Sequence, residues 1–215
     1  MRNTLLAVLI GVGLVIGAVI PATATPSFLG YTGLVNIPTA DSLSMGEYNA
    51  AAFFAGGDGG NDTVIAAGNL GIIAGLEGGV AYVNPDEGSD ELLLNAKWRI
   101  RSEGTVMPAI AVGMADIGDQ IDSTPYLVLS KGLAPVGRKI LNPQVHVGVG
   151  DGLLDGFFAG ASVDIAKTTT LMAEYDGRDV NFGARFAISP ELRIHAAGFD
   201  GFDDFGVGIS YTKGL

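Results

Sequence analysis

The residues of this 215-residue chain with the most chemistry to offer are a basic set, Lys97, Arg99, Arg185, Arg193 and His195, and three acids, Glu77, Asp164 and Glu174. All share one parity when the segments around them are read by alternate residues. Arginine forks grip carboxylates through paired hydrogen bonds, so a wall carrying this set would form a cationic path for an acidic or heavily hydroxylated polysaccharide. The plainer reading is a set of salt bridges stiffening an inner wall. Catalytic chemistry is poorly served. His146 and His195 stand singly on different segments and read as hydrogen-bonded inner-face residues. Glu174 with Ser162 or Ser210 would suit a lipid-modifying site, but no spacing in the chain requires one. His-Glu-x-x-His, Gly-x-Ser-x-Gly and Asp-x-Asp-x-Asp-Gly are all absent, so the reading is non-enzymatic, with no cofactor and no metal. The run Gly56-Gly-Asp-Gly-Gly-Asn-Asp62 resembles one copy of a calcium-binding nonapeptide, yet has Asn61 where Asp is needed and reads as an acidic hairpin loop.

These side chains meet only if the chain around them is extended. In Glu91–Arg101, Leu92, Leu94, Ala96, Trp98 and Ile100 fall on one face, against Glu91, Leu93, Asn95, Lys97, Arg99 and Arg101. A helix would spread those charges around its circumference, so the period is two. The pattern recurs in about twelve segments, near 47–54, 63–70, 75–83, 91–101, 107–115, 124–131, 143–150, 156–164, 170–175, 179–187, 191–199 and 204–212. A soluble sandwich would bury the apolar faces against each other; a membrane barrel turns them to lipid and keeps polar side chains inside. Inner positions rich in Gly and Ala leave room for a lumen, where bulky ones would fill it.

Connections between the segments alternate in charge. Asp58/Asp62, Asp86/Glu87/Asp90, Asp116/Asp119/Asp122, Asp151/Asp155, Asp176/Asp179 and Asp200/Asp203/Asp204 occupy every second one. The others are short and neutral to basic, as at 131–139, Ala166-Lys167 and Ser189-Pro190. An up-and-down meander places alternate turns at one end, so one rim is acidic and the strand count even. The formal net charge of −11 leaves no basic footprint for nucleic acid, and without Cys there is no disulfide framework or thiolate site.

At the front, Met1-Arg2-Asn3, an apolar run to Ile20 and Ala22-Thr23-Ala24 form a secretory signal peptide, which assigns residues 1–24 to export and 47–215 to the barrel. Between them lies a lead-in, 25–46, which either plugs the lumen or adds a strand. Its part Thr25–Ser44 contains only Asp41 as an acid, so as a plug it is not expected to neutralise a basic wall.

Within the lead-in, Gly30, Thr32, Gly33, Leu34, Pro38, Thr39, Ala40 and Gly46 resemble the N-terminal signature of the YjbH-like family of outer-membrane proteins. Weaker likeness continues through Leu93–Trp98, Ala109–Gly113, Tyr126–Lys131 and Ala173–Tyr175. The resemblance implies an outer-membrane barrel acting in exopolysaccharide assembly or export, with membrane lipid, an acidic polysaccharide and envelope export proteins as partners. The glycines and Pro38 also have a purely structural reading, as shapers of an irregular lead-in. Taken together, the sequence specifies an all-β, antiparallel up-and-down transmembrane barrel of about twelve strands. A passive structural or porin-like barrel is the alternative role, and a soluble periplasmic barrel or lipid-modifying enzyme is a third.

Overall fold

The computed structural model describes residues 24–57, 62–137 and 140–214. All but the last residue of the expected signal peptide, and most of the Gly56–Asp62 loop, therefore lie outside the described residues. Twelve antiparallel strands, each paired with its sequence neighbours, close into one barrel. They are β1 (Glu47–Gly57), β2 (Thr63–Ile73), β3 (Leu76–Pro85), β4 (Glu91–Arg101), β5 (Ala109–Ala115) and β6 (Thr124–Gly132). The second half comprises β7 (Leu141–Gly150), β8 (Gly156–Ala166), β9 (Thr169–Tyr175), β10 (Val180–Ala187), β11 (Leu192–Phe199) and β12 (Asp204–Gly214). The β1–β12 seam runs in unbroken register from Glu47↔Gly214 to Gly57↔Asp204, so no sheet edge is left open.

Alternation fixes what each strand shows to either side. In β4, Leu93, Asn95 and Lys97 are buried inside, while Leu92, Leu94, Trp98 and Ile100 are exposed outside. In β7, His146 and Gly148 point in and Val145, Val147 and Val149 out. β10 and β12 repeat this, with Phe182, Phe186, Val207 and Ile209 exposed. A continuous belt of large exposed apolar side chains is untenable in water and is what a lipid-facing wall requires. Among the described residues no helix is long and apolar enough to cross a membrane.

Both barrel termini lie at one end, which the turns after β2, β4, β6, β8 and β10 share. The strands slip register at this terminus end, between Gly71/Ile73, Arg99/Arg101, Leu141/Gln144 and Asp164/Ala166. Pro143, which has no N–H for a ladder, sits within one of these irregularities. The Asp-rich connections fall at the opposite end, as the charge pattern requires. The terminus end is not free of acid: Glu103 pairs with Lys131 at 2.8 Å, and that hydrogen bond holds its carboxyl below the usual range. Glu191 is bound there by Ser189.

Candidate functional site

Residues 24–46 contact inward-facing residues of most of the wall, from β1 and β2 through β3, β4, β6, β8, β9 and β10 to β12. A segment can touch so many strands around a barrel only from inside it. It enters at the terminus end, where Asn49 of β1 reaches the Ala24 carbonyl. It climbs towards the acidic end, where Asn36 donates to Asp176, and returns to the terminus end, where Gly46 donates to the Gly71 carbonyl. Two isolated bridges, Pro26↔Thr32 and Gly33↔Pro38, give it a compact looped form in place of a thirteenth strand.

Apolar side chains seat it. Phe28 packs 4.4 Å from the Phe53 ring and 5.2 Å from Phe199, and Tyr31 lies 5.7 Å from Tyr126. Opposite these anchors the wall carries glycine. A Cβ at Gly206 would come within 2.5 Å of Phe28, at Gly183 within 2.6 Å of Val35, and at Gly160 within 2.7 Å of Ile37. The small inner residues leave room, as the composition implies, but that room belongs to the chain's own segment. Ile37, Ala40 and Leu43 are fully buried there.

The segment lacks ladder partners for much of its backbone, so polar side chains of the wall must supply them. Glu174 of β9 accepts from three consecutive amides, Val35 at 2.9 Å, Asn36 at 2.6 Å and Ile37 at 3.3 Å, and also from Asn181. Arg185 of β10 donates to the carbonyls of Gly33 and Leu34 at 2.7 Å and of Pro26 at 3.3 Å. Glu77 and Lys97, 2% and 1% exposed, form an ion pair at 3.1 Å. Into that pair is woven Thr32, whose hydroxyl contacts both groups and whose carbonyl accepts from Lys97 at 2.9 Å. The Leu43 amide donates to Glu77, the Ala40 amide to Ser130, and Asn69 to the Gly30 carbonyl.

The basic set thus divides. Lys97 and Arg185 are consumed by the inner segment, and His195 bridges Arg185 and Ser210 across the wall. Arg99 and Arg193 make no side-chain hydrogen bond or ion pair among the described residues. Of the expected salt bridges only Glu77–Lys97 forms among the described residues; Asp164 is bound instead by Asn142 and Thr170. Thr25–Ser44 brings no carboxylate to ion-pair distance of these bases among the described residues; its backbone carbonyls satisfy the Lys97 and Arg185 donors without cancelling their charge. Ser130, Asn69 and Asn49 escaped sequence reading, although each is a polar side chain on an inward face.

The family-like motif lies within this looped segment. Gly30 holds φ +91°, and a Cβ at Gly33 would sit 2.2 Å from the Ile37 carbonyl oxygen, so both positions are set by local geometry. Among the described residues no group of three or more His, Cys, Asp or Glu side chains is placed to hold a metal. Asp116, the most buried rim acid, accepts from the amides of Gln120, Ile121 and Asp122 and orders its own loop.

At the terminus end a cavity of ≈ 80 Å³ remains beside the inner segment, lined among others by Asp41, Asp164, Lys167, Arg185 and Arg193. The wall and its closure are thereby defined, and the wall has solved counterparts. The chain is similar to the NanC porin (12% identity, TM-score 0.52, 76% of this chain and 98% of that one). It is similar to the KdgM porin (12%, 0.51, 76% and 98%) and to KdgM porin in complex with disordered oligogalacturonate (11%, 0.52, 77% and 98%). The fold is the closed twelve-strand antiparallel barrel shared with these porins. At these identities the likeness extends to the fold alone. No family model matches the sequence, and no curated protein matches it significantly.

Proposed function

We propose that the chain is exported and inserted in an outer membrane as a porin-like barrel, closed in this conformation by its own residues 24–46. The observation that carries this reading is the ring of inner-wall groups, Glu174, Arg185, Glu77, Lys97 and Ser130, dedicated to the backbone of that segment. A structural barrel stiffened by luminal ion pairs would pair its charges with one another. Here Glu77 and Lys97 do pair, but both also bind residues 24–46, and the unpaired charges of Glu174 and Arg185 are matched to the backbone of that piece of chain, both ends of which lie at the terminus end. Single-channel recording in planar bilayers tests it. The full barrel should be silent or open rarely, and a variant lacking residues 26–44 should conduct steadily. Steady conductance of equal size in both would refute closure by this segment.

A narrower role in exopolysaccharide export has support from the Gly30–Gly46 motif and from the excess of inner-wall bases. The oligogalacturonate held by KdgM porin is likewise an acidic chain. Replacing Arg99, Arg185 and Arg193 together by Gln should then lower secreted polymer in cells while barrel assembly persists. Unchanged secretion with normal assembly would remove this role and leave the porin-like reading.

A further inference from the structure

The cavity at the terminus end carries a feature that holding the inner segment does not explain. Arg193 is only 7% exposed, yet its side chain has no hydrogen-bond or ion-pair partner among the described residues, and its Nη1 is buried without an acceptor. Leaving a guanidinium this far from water with nothing to receive its protons is costly. Glu47 and Asp164 act on Arg193 through charge, but neither reaches ion-pair distance among the described residues. Asp164 already accepts from Asn142 at 2.9 Å and from Thr170 at 2.6 Å, and neither it nor Asp41 reaches ion-pair distance. Arg185, on the same cavity wall, spends its Nη2 on three carbonyls of the inner segment. The remaining lining offers neutral donors, Gln144, Ser162 and Thr168, and a third base, Lys167.

We propose that this cavity is an oxyanion site, taking one carboxylate or phosphate group with Arg193 as its main partner and Lys167 and the neutral donors completing the shell. The lining carries three bases against two acids, and neither those acids nor Glu47, which acts on Arg193 from outside the lining, supplies the guanidinium with a hydrogen-bond acceptor. Size supports the assignment. A space of ≈ 80 Å³ admits a carboxylate or phosphate group, since a single water needs only about 10–15 Å³ on the same measure. Guanidinium planes match both anions through paired donors. The site is present in the closed barrel and stands whether or not the inner segment ever leaves.

The test uses the full mature barrel folded in detergent, reading its unfolding temperature by the heat-dependent gel shift at constant ionic strength. Millimolar sodium phosphate, acetate or galacturonate replaces sodium chloride, so that free phosphate and carboxylate sources are separated. At least one oxyanion should raise the unfolding temperature in a saturable way, as a ligand bound only by the folded state must. Arg193→Gln should weaken that affinity on the order of tenfold or more, the scale of a lost charged hydrogen bond. Arg193→Lys should restore part of it, and Arg178→Gln at the opposite rim should leave it unchanged. If Arg193→Gln does not fold, Lys167→Gln gives the same reading with a smaller loss. No oxyanion effect, an equal effect of chloride, or an equal effect in Arg193→Gln overturns the site. Because every readout is taken on the closed barrel, these outcomes are independent of the conductance result.

Discussion

Glu174 shows how a single side chain decides the interior of this barrel. It is buried without an ion-pair partner among the described residues, and its carboxyl oxygens are the acceptors for three consecutive amides of the inner segment. Each side satisfies a group the other would leave buried and unpaired. Replacing Glu174 by Gln keeps the size but turns one acceptor into a donor facing those amides. The expected cost is about 2 kcal/mol, felt by the segment more than by the wall, so the Val35–Ile37 amides should exchange with solvent roughly thirtyfold faster. Hydrogen-exchange mass spectrometry checks this, with the β2 amides as the unchanged reference; equal protection in both proteins would deny Glu174 its anchoring role. Sequence alone shows Glu174 as an inward acid and Arg185 as an inward base. It does not show that their partners are backbone groups, because Val35 lies 139 residues from Glu174 and an amide has no signature of its own. Arg193 and Arg185 look alike in sequence for the same reason, and only the position of the inner segment separates them.

The strands were legible to within a few residues because each presents two environments in strict alternation, and a one-residue slip would exchange lipid for lumen along its length. The inner segment was not legible. From Ala24 to Leu43 it is buried on nearly all sides, so no period separates its faces, and its two isolated bridges leave no ladder pattern. Its glycines and Pro38 recorded only that the backbone is irregular. The two kinds of element should respond differently to substitution. Val147, 43% exposed on the lipid side of β7, should cost roughly 2–4 kcal/mol when replaced by Arg near the bilayer midplane. Gly183→Val acts inward: its Cβ would stand 2.6 Å from Val35 and 2.8 Å from Met172, so the segment must shift while the outer face is unchanged. Urea unfolding in lipid vesicles should therefore show a large loss for Val147→Arg. Limited proteolysis should show selective release of residues 24–46 for Gly183→Val. A large global loss in both variants, with no selective cleavage, would mean that wall and segment unfold as one unit.

Across the whole molecule the two ends are chemically different. Every connection at one end carries acid, and the described ones include Asp86, Asp119, Asp155, Asp179 and Asp203. The other end holds both barrel termini, both ends of the inner segment, the register slips and most of the free bases. A barrel whose chain enters and leaves at one end inserts with the opposite loops leading, and outer-membrane barrels keep their termini on the periplasmic side with short turns there. On that orientation the acidic end would face outward and the cavity at the terminus end inward. Short epitope tags at Gly88 and Gly201, in acidic-end connections, should bind antibody on intact cells, whereas a tag at Pro135, between β6 and β7, should bind only after the envelope is opened. Insertion at these three positions interrupts no strand, so loss of signal cannot be laid to misfolding if the heat-dependent gel shift is retained. Labelling of Pro135 alone on intact cells would invert the barrel, turning the acidic rim and the far loop of the inner segment towards the periplasm and the oxyanion cavity outward.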